Sequence, residues 1–281
     1  MGGGGREMTR SWWFVAWIRL RKALRRYTVR EQSRFVWDWL KEPLLIFGSV
    51  YLCAAAVAQP FYVPSGSMQP TLGIGDLLIA TKFSYGFNRY SLPFAFGPTP
   101  QQHFFASSPV PGDVVVFRKP GNESLTLVKR VVAVAGDRVQ MKSGRLWING
   151  TELPLSPAGV GKVEDGPGEI APGSYFSADR YIETLPNGRR HPIYKKTWSG
   201  EYDETPEYIV PAGHLFVMGD NRDDSADSRV PAERNGVSFL PVANVMGRAR
   251  VVIVSVDFVN AKGVWQWPLR IRSERTLTSV Q

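Results

Sequence analysis

From Pro43 to Gly75, 33 consecutive residues carry no charge. The first part of that run, PLLIFGSVYLCAAAVAQPF, is strongly apolar. A helix needs about 20 such residues to cross a bilayer. Pro43 to Phe61 supplies nearly that many, so a transmembrane helix over 43–61 is expected. A buried core helix is the plain alternative, but such a helix rarely follows an arginine-rich arm directly. A cleavable leader is the other alternative, since Ala54-Ala55-Ala56 resembles a cleavage site. Its basic region would be unusually long, and chemically suggestive residues begin only a few positions later.

Charge placement sets the orientation. Residues 1–42 hold ten Lys/Arg against four acids, whereas the remaining 239 hold 24 against 21. The net charge of +9 therefore belongs mainly to the N-terminal arm. No nucleic-acid partner is expected, because that would require a basic face on the folded body. The positive-inside rule places residues 1–42 in the cytoplasm and the chain after Phe61 on the outer side of the inner membrane. Within the arm, SWWFVAWIRLRKALRRY suits an interfacial helix on an anionic leaflet. The single cysteine, Cys53, excludes an intramolecular disulfide.

Beyond the apolar run the pattern is mainly β. Leu77–Ala80, Val114–Phe117, Val128–Val134 and Leu215–Met218 are short apolar runs rich in β-branched residues and bounded by turn formers. Arg138–Lys142 and Arg145–Ile148 flank Ser143-Gly144, and Asn149-Gly150 follows, which predicts a meander of hairpins. The expected organisation is a β core of residues 62–143 plus 212–270, a smaller β subdomain inserted at 144–211, and a C-terminal tail at 271–281. Ser84–Ser108 reads as an aromatic, proline-rich loop near the membrane, and Ala158–Pro172 as a surface loop.

Three stretches carry candidate chemistry. VPSGSMQPTL (63–72) offers two serines, Ser65 and Ser67, in a stiff turn. A serine nucleophile needs a base, but His103, His191 and His214 stand at no telling spacing from an acid or a serine. There is no G-x-S-x-G elbow. With one cysteine and scattered histidines no metal cluster is expected, and no cofactor. In LVKRVVAV (127–134), strand alternation sends Lys129 and Arg130 to opposite faces. A desolvated lysine has a lowered pKa and can accept a proton near neutrality, whereas a snorkelling one cannot. GDNRDDSADSR (219–229) is either a calcium loop built on Asp220, Asp223, Asp224 and Asp227, or a set of ion pairs with Arg222 and Arg229. It lacks the regular calcium-loop register.

Together with GRA at 247–249, and in this order and spacing, these stretches closely resemble the sequence boxes of bacterial type I signal peptidases. Those are membrane-anchored Ser/Lys endopeptidases that remove signal peptides from exported proteins. The resemblance spans roughly residues 35–270 and implies their β fold. It implies Ser67 as nucleophile, Lys129 as general base, and Ser65 as a donor to the oxyanion beside the Ser67 backbone N–H. Ser225 would hydrogen-bond the lysine amine, and Asp220, Arg222, Asp227 and Arg229 with Arg130 would form an ion-paired frame. Asp224 departs from the asparagine found in many members. Some members have two transmembrane helices, and one is found here. The implied partners are signal peptides of secretory preproteins, the lipid bilayer and, by proximity, the export translocon. The related self-cleaving repressors share the dyad but carry a DNA-binding domain and no anchor. Two other functions fit the same residues: a processing peptidase for a single exported substrate, and a membrane-tethered β domain that binds peptides without cutting them.

Overall fold

A computed structural model describes residues 29–86, 107–165, 173–257 and 264–280, together with Trp17 and Arg19. Most of the basic arm, residues 87–106 of the aromatic stretch and residues 166–172 lie outside the described residues. The chain divides into two units, Met1–Cys53 and Ala54–Gln281.

Helix α1 runs over Val29–Val57. It begins well before the expected start, because the charged residues from Arg30 to Glu42 are ordinary helix formers. It ends four residues short of Phe61. Pro60 disfavours helical backbone at Gln59, and strand β1 begins at Ala58. Its uncharged part, Pro43–Val57, is therefore only 15 residues long. Among the described residues no helix is long and apolar enough to cross a membrane. Leu44, Leu45, Ile46 and Phe47 nevertheless follow one another around the helix, and all are exposed.

The second unit is built from antiparallel sheets. The largest contains β1 (Ala58–Tyr62), β2 (Asp76–Thr81), β3 (Val114–Lys119), β4 (Asn122–Val134), β12 (His214–Met218), β13 (Leu240–Pro241), β14 (Val245–Ser255) and β15 (Thr278–Ser279). Its strand order is β1-β2-β14-β3-β4-β12-β13, with β15 paired to β14. Central β3, VVVFRK, is buried on both faces from Val114 to Phe117, which explains its unbroken apolar run. A four-stranded sheet has the order β11-β5-β6-β7, from Tyr208–Ile209, Arg138–Lys142, Arg145–Ile148 and Thr151–Glu152. Its hairpin turns are those expected: Ser143 and Gly144 have φ of 46° and 73°, and Asn149 and Gly150 have 53° and 78°. Paired positive φ values suit two-residue turns between twisted strands. A third sheet, β10-β9-β8, comprises Arg190–Lys195, Tyr175–Thr184 and Leu155–Glu164.

Three expectations change here. The boundary at residue 144 cuts through the four-stranded sheet, since β5 pairs with both β6 and β11. Val139, Met141, Leu146 and Ile148 of that sheet share one core with Val132, Ala133, Phe216 and Met218. The separate sheet is confined to 155–195, and apolar burial joins the rest to the body. Residues 158–164 are strand rather than loop, paired with β9. Residues 271–280 are not a loose tail. Arg272 donates to the Ile74 carbonyl and Glu164, Arg275 pairs with buried Asp76 at 2.7 Å, and Val280 enters the core.

Candidate active site

The turn between β1 and β2 presents Ser67. Val63 and Gly75 close it, with Val63 N–H donating to the Asp76 carbonyl and Gly75 N–H to that of Val63. Met68, Leu72 and Ile74 are buried almost completely and pin the turn to the body. The apolar residues of the turn are thus its anchors, and its serines stand free of the packing. Gly66 is required by close approach: a Cβ there would come 2.9 Å from Gln69 Nε2 and 3.1 Å from the Glu164 carbonyl oxygen. Gln69 in turn bonds both N–H and C=O of Glu164 at 3.0 Å, tying the turn to β8.

On β4, Lys129 and Arg130 do diverge, and both are buried. Lys129 Nζ donates to Ser67 Oγ at 2.6 Å. Burial pushes the Lys129 amine from 10.5 down to about 8, more than Asp227 and Asp220 pull it up. Such an amine can give up its proton near pH 8, where an ordinary exposed lysine stays charged. Ser65 Oγ lies 3.4 Å from Ser67 Oγ on the exposed side of the turn.

Arg130 holds Asp220 through two 2.8 Å contacts, and Thr71 from the serine turn donates to the same carboxylate at 2.5 Å. Burial alone would raise the Asp220 pKa, but Arg130 holds it below its usual range. Arg229 similarly grips Asp227 at 2.9 and 2.8 Å, and Gly219 N–H adds a third bond at 3.0 Å. Around the acidic stretch the structure pairs Arg130 with Asp220 and Arg229 with Asp227. Arg222 pairs with Glu183 of β9 rather than with an acid of its own loop. Asp223 and Asp224 are matched by Lys195 and Lys196 of the β10 end. All four aspartates once readable as calcium ligands are thus paired with cations.

The acidic loop also meets the serine turn through its backbone. Asn221 N–H donates to the Ser67 carbonyl at 3.1 Å, and Asn221 Nδ2 to that of Gly66 at 3.2 Å. A Cβ on Gly219 would stand 2.5 Å from the Ser67 carbonyl oxygen. Ser225 lies at the same place, but its buried Oγ makes no hydrogen bond. The bond expected from Ser225 to the lysine amine is therefore not formed.

Sequence reasoning missed Glu183, Lys195, Asp203, Asn221 and Thr71. Thr71 and Asn221 lie inside the two quoted stretches and could have been found there. Glu183, Lys195 and Asp203 sit in the β9–β11 region without a local motif. Lys195 is buried between Asp203 and Asp223, an arrangement only the fold creates.

A family model described as signal peptidase, peptidase S26, matches residues 36–254. The signal peptidase I of Rickettsia akari is 34% identical over 226 residues, covering 77% of this chain and 80% of the relative. That of Rickettsia typhi is 36% identical over 203 residues, covering 70% and 72%. A solved signal peptidase I from Enterococcus faecalis V583 is 22% identical and overlays at a TM-score of 0.28, spanning 50% of this chain and 97% of that one. That overlay is too loose to compare site geometry. With the family model spanning most of the sequence and relatives above 30% identity, the chain belongs to the signal peptidase family, peptidase S26.

Proposed function

We propose that this chain is a serine endopeptidase that removes signal peptides from exported preproteins, with Ser67 as nucleophile and Lys129 as general base. Membership of the family and the named relatives support the activity. The observation that carries the roles is the 2.6 Å contact between a buried, pKa-lowered amine and a serine hydroxyl held on a packed turn.

Neutral Lys129 takes the Ser67 proton as Oγ attacks the scissile carbonyl, which follows a small residue of the substrate. Charge then develops on the carbonyl oxygen. The Ser67 N–H and the Ser65 hydroxyl meet it, each such donor typically contributing about 2.7–4 kcal/mol. Protonated Lys129 passes its proton to the leaving amine, and the same lysine then activates the water that hydrolyses the acyl-enzyme. Asp220 and Asp227 act at a distance, because their ion pairs with Arg130 and Arg229 hold the loop that bonds the Ser67 carbonyl. Ser225, whose buried hydroxyl is unpartnered beside Gly219, is the candidate positioning residue for the amine.

Retention at the inner membrane, with the body on the outer side, belongs to the same proposal. Its support is the apolar helix surface at Leu44–Phe47 and the exposed Trp265 and Leu269. Tryptophan is favoured at membrane interfaces. Holding enzyme and signal peptide in one bilayer raises their effective concentration. The test is a serine-directed acylating inhibitor followed by mass spectrometry of the labelled peptide, alongside cleavage of a preprotein. Label on Ser67 with loss of cleavage is expected. Cleavage that persists in Ser67→Ala would sink the proposal, and binding of signal peptide without labelling or cleavage would leave a peptide-binding domain.

A further inference from the structure

On the body, a cleft of about 590 Å³ whose lining includes neither Ser67 nor Lys129 is walled by four arginines: Arg189 and Arg190 at the start of β10, and Arg248 and Arg250 on β14. One carboxylate is close enough to answer them. Asp113 takes Arg189 at 2.6 Å and Arg248 at 3.2 Å. Neither Arg190 nor Arg250 has an ion pair among the described residues. Arg250 makes one weak bond, from Nε to Thr81 Oγ1 at 3.4 Å. Four arginines therefore line the cleft, and a single carboxylate answers two of them.

The cleft is built rather than incidental. Its wall is the tight turn Leu185–Arg189, closed by bonds of 2.8 and 2.9 Å. Asn187 Nδ2 fastens that turn to the Pro111 carbonyl at 2.7 Å. Gly112, with φ of +95°, lets Arg189 lie across it, since a Cβ there would come 2.6 Å from Arg189 Cδ. Arg130 and His191 also line the cleft. The charge of Arg130 is already met by Asp220. His191 is only 2% exposed, and its neighbour is the buried Glu183 carboxylate. Its Nε2 stands 3.4 Å from Glu183 Oε2.

We infer that this cleft binds a phosphoryl group. Guanidinium forks match phosphate oxygens two at a time, and an excess of several positive charges suits a dianion better than a single carboxylate. A lipid headgroup and free phosphate present the same chemistry. The site is distinct from the proposed dyad, and its occupancy does not depend on cleavage.

The test uses the full chain in detergent, titrated calorimetrically at constant ionic strength with inorganic phosphate in one arm and soluble dihexanoyl phosphatidic acid in the other. Saturable binding of one or both is expected, with the tighter probe identifying the source. Arg190→Gln/Arg250→Gln should weaken that binding at least tenfold, with an unchanged melting temperature and unchanged preprotein cleavage. Arg190→Lys/Arg250→Lys keeps the charge but loses the forks, and should fall in between. Absence of saturable binding to either probe, or equal affinity in the wild type and the glutamine variant, would overturn the inference.

Discussion

Lys129 Nζ and Ser67 Oγ meet at 2.6 Å although 62 residues separate them in the chain. Lys129 reaches the serine from the buried half of β4, and Ser67 reaches the lysine from a turn whose anchors are Met68 and Leu72. Each partner is fixed by a different part of the core, so removing either side chain should leave the fold in place. Ser67→Ala and Lys129→Ala should each reduce preprotein cleavage by about 10³-fold or more, with melting temperatures at or above the wild-type value. Ser65→Ala should cost about 10²-fold, the usual loss for one oxyanion donor of two. Steady-state cleavage assays beside thermal melts separate these outcomes. Near-normal turnover in Lys129→Ala would remove the dyad from the mechanism.

The lowered Lys129 pKa gives two pH dependences of definite sign. As a base it must be neutral, so kcat/KM should rise about tenfold per pH unit below 8 and level off above it. For stability, the folded value near 8 lies below the unfolded value of 10.5. Between those values the unfolded chain binds more protons, so stability rises with pH across that window. Below pH 8 both states are protonated and the full penalty for burying the ammonium stands, about 3 kcal/mol at 1.36 kcal/mol per unit. Lys129→Met should therefore raise the melting temperature at pH 7 and lose that advantage by pH 10.5. A rate profile that is flat from pH 6 to 9 would contradict the assignment of Lys129 as base.

Gly219 marks where the acidic loop touches the nucleophile. A methyl group there would stand 2.5 Å from the Ser67 carbonyl oxygen, a backbone atom that cannot swing aside. Gly219→Ala should displace the serine turn, and misplacement by about 1 Å commonly costs about 10²-fold in rate. The loss should appear in kcat, and Gly48→Ala, where a Cβ meets nothing within 4 Å and the backbone is helical, serves as the glycine control. Equal kcat in Gly219→Ala and wild type would show that the loop and the serine turn are not mechanically joined.

How far the sequence disclosed all this depends on how local each signal was. The hairpin turns at Ser143-Gly144 and Asn149-Gly150 were legible because positive φ demands those residue types wherever the strands go. The strand at Val114–Phe117 was legible from its β-branched apolar run, whereas its central place, buried on both faces, was not. Ser67 and Lys129 could be paired only by resemblance, since nothing local brings a turn and a strand 62 residues apart together. The end of α1 was misplaced because hydropathy alone does not register the effect of Pro60 on Gln59. Residues 271–280 read as a tail because Arg272 and Arg275 look like solvated charges until Glu164 and Asp76 are brought beneath them. The change of Arg222 from its own loop to Glu183 was hidden for the same reason, as both partners are common surface residues in isolation.

That hidden pair supports a final prediction. Arg222 and Glu183 are both buried, bonded through two parallel contacts, and they tie the acidic loop to β9. Burial alone would push the Glu183 carboxyl up, but Arg222 holds it well below the usual carboxylate range. Removing one member leaves an uncompensated buried charge, whereas removing both leaves none. Glu183→Gln and Arg222→Met should each destabilise the body by about 3–5 kcal/mol, while the double variant should recover much of that loss. Denaturant melts of the four proteins give the coupling energy directly. The folded pKa of Glu183 is depressed, so its contribution is full above the unfolded value near 4.5 and is lost as pH falls through the folded value. The penalty of Glu183→Gln should accordingly be largest at neutral pH and shrink under acid. Additive losses in the double variant would mean that the loop is held to β9 by some other contact.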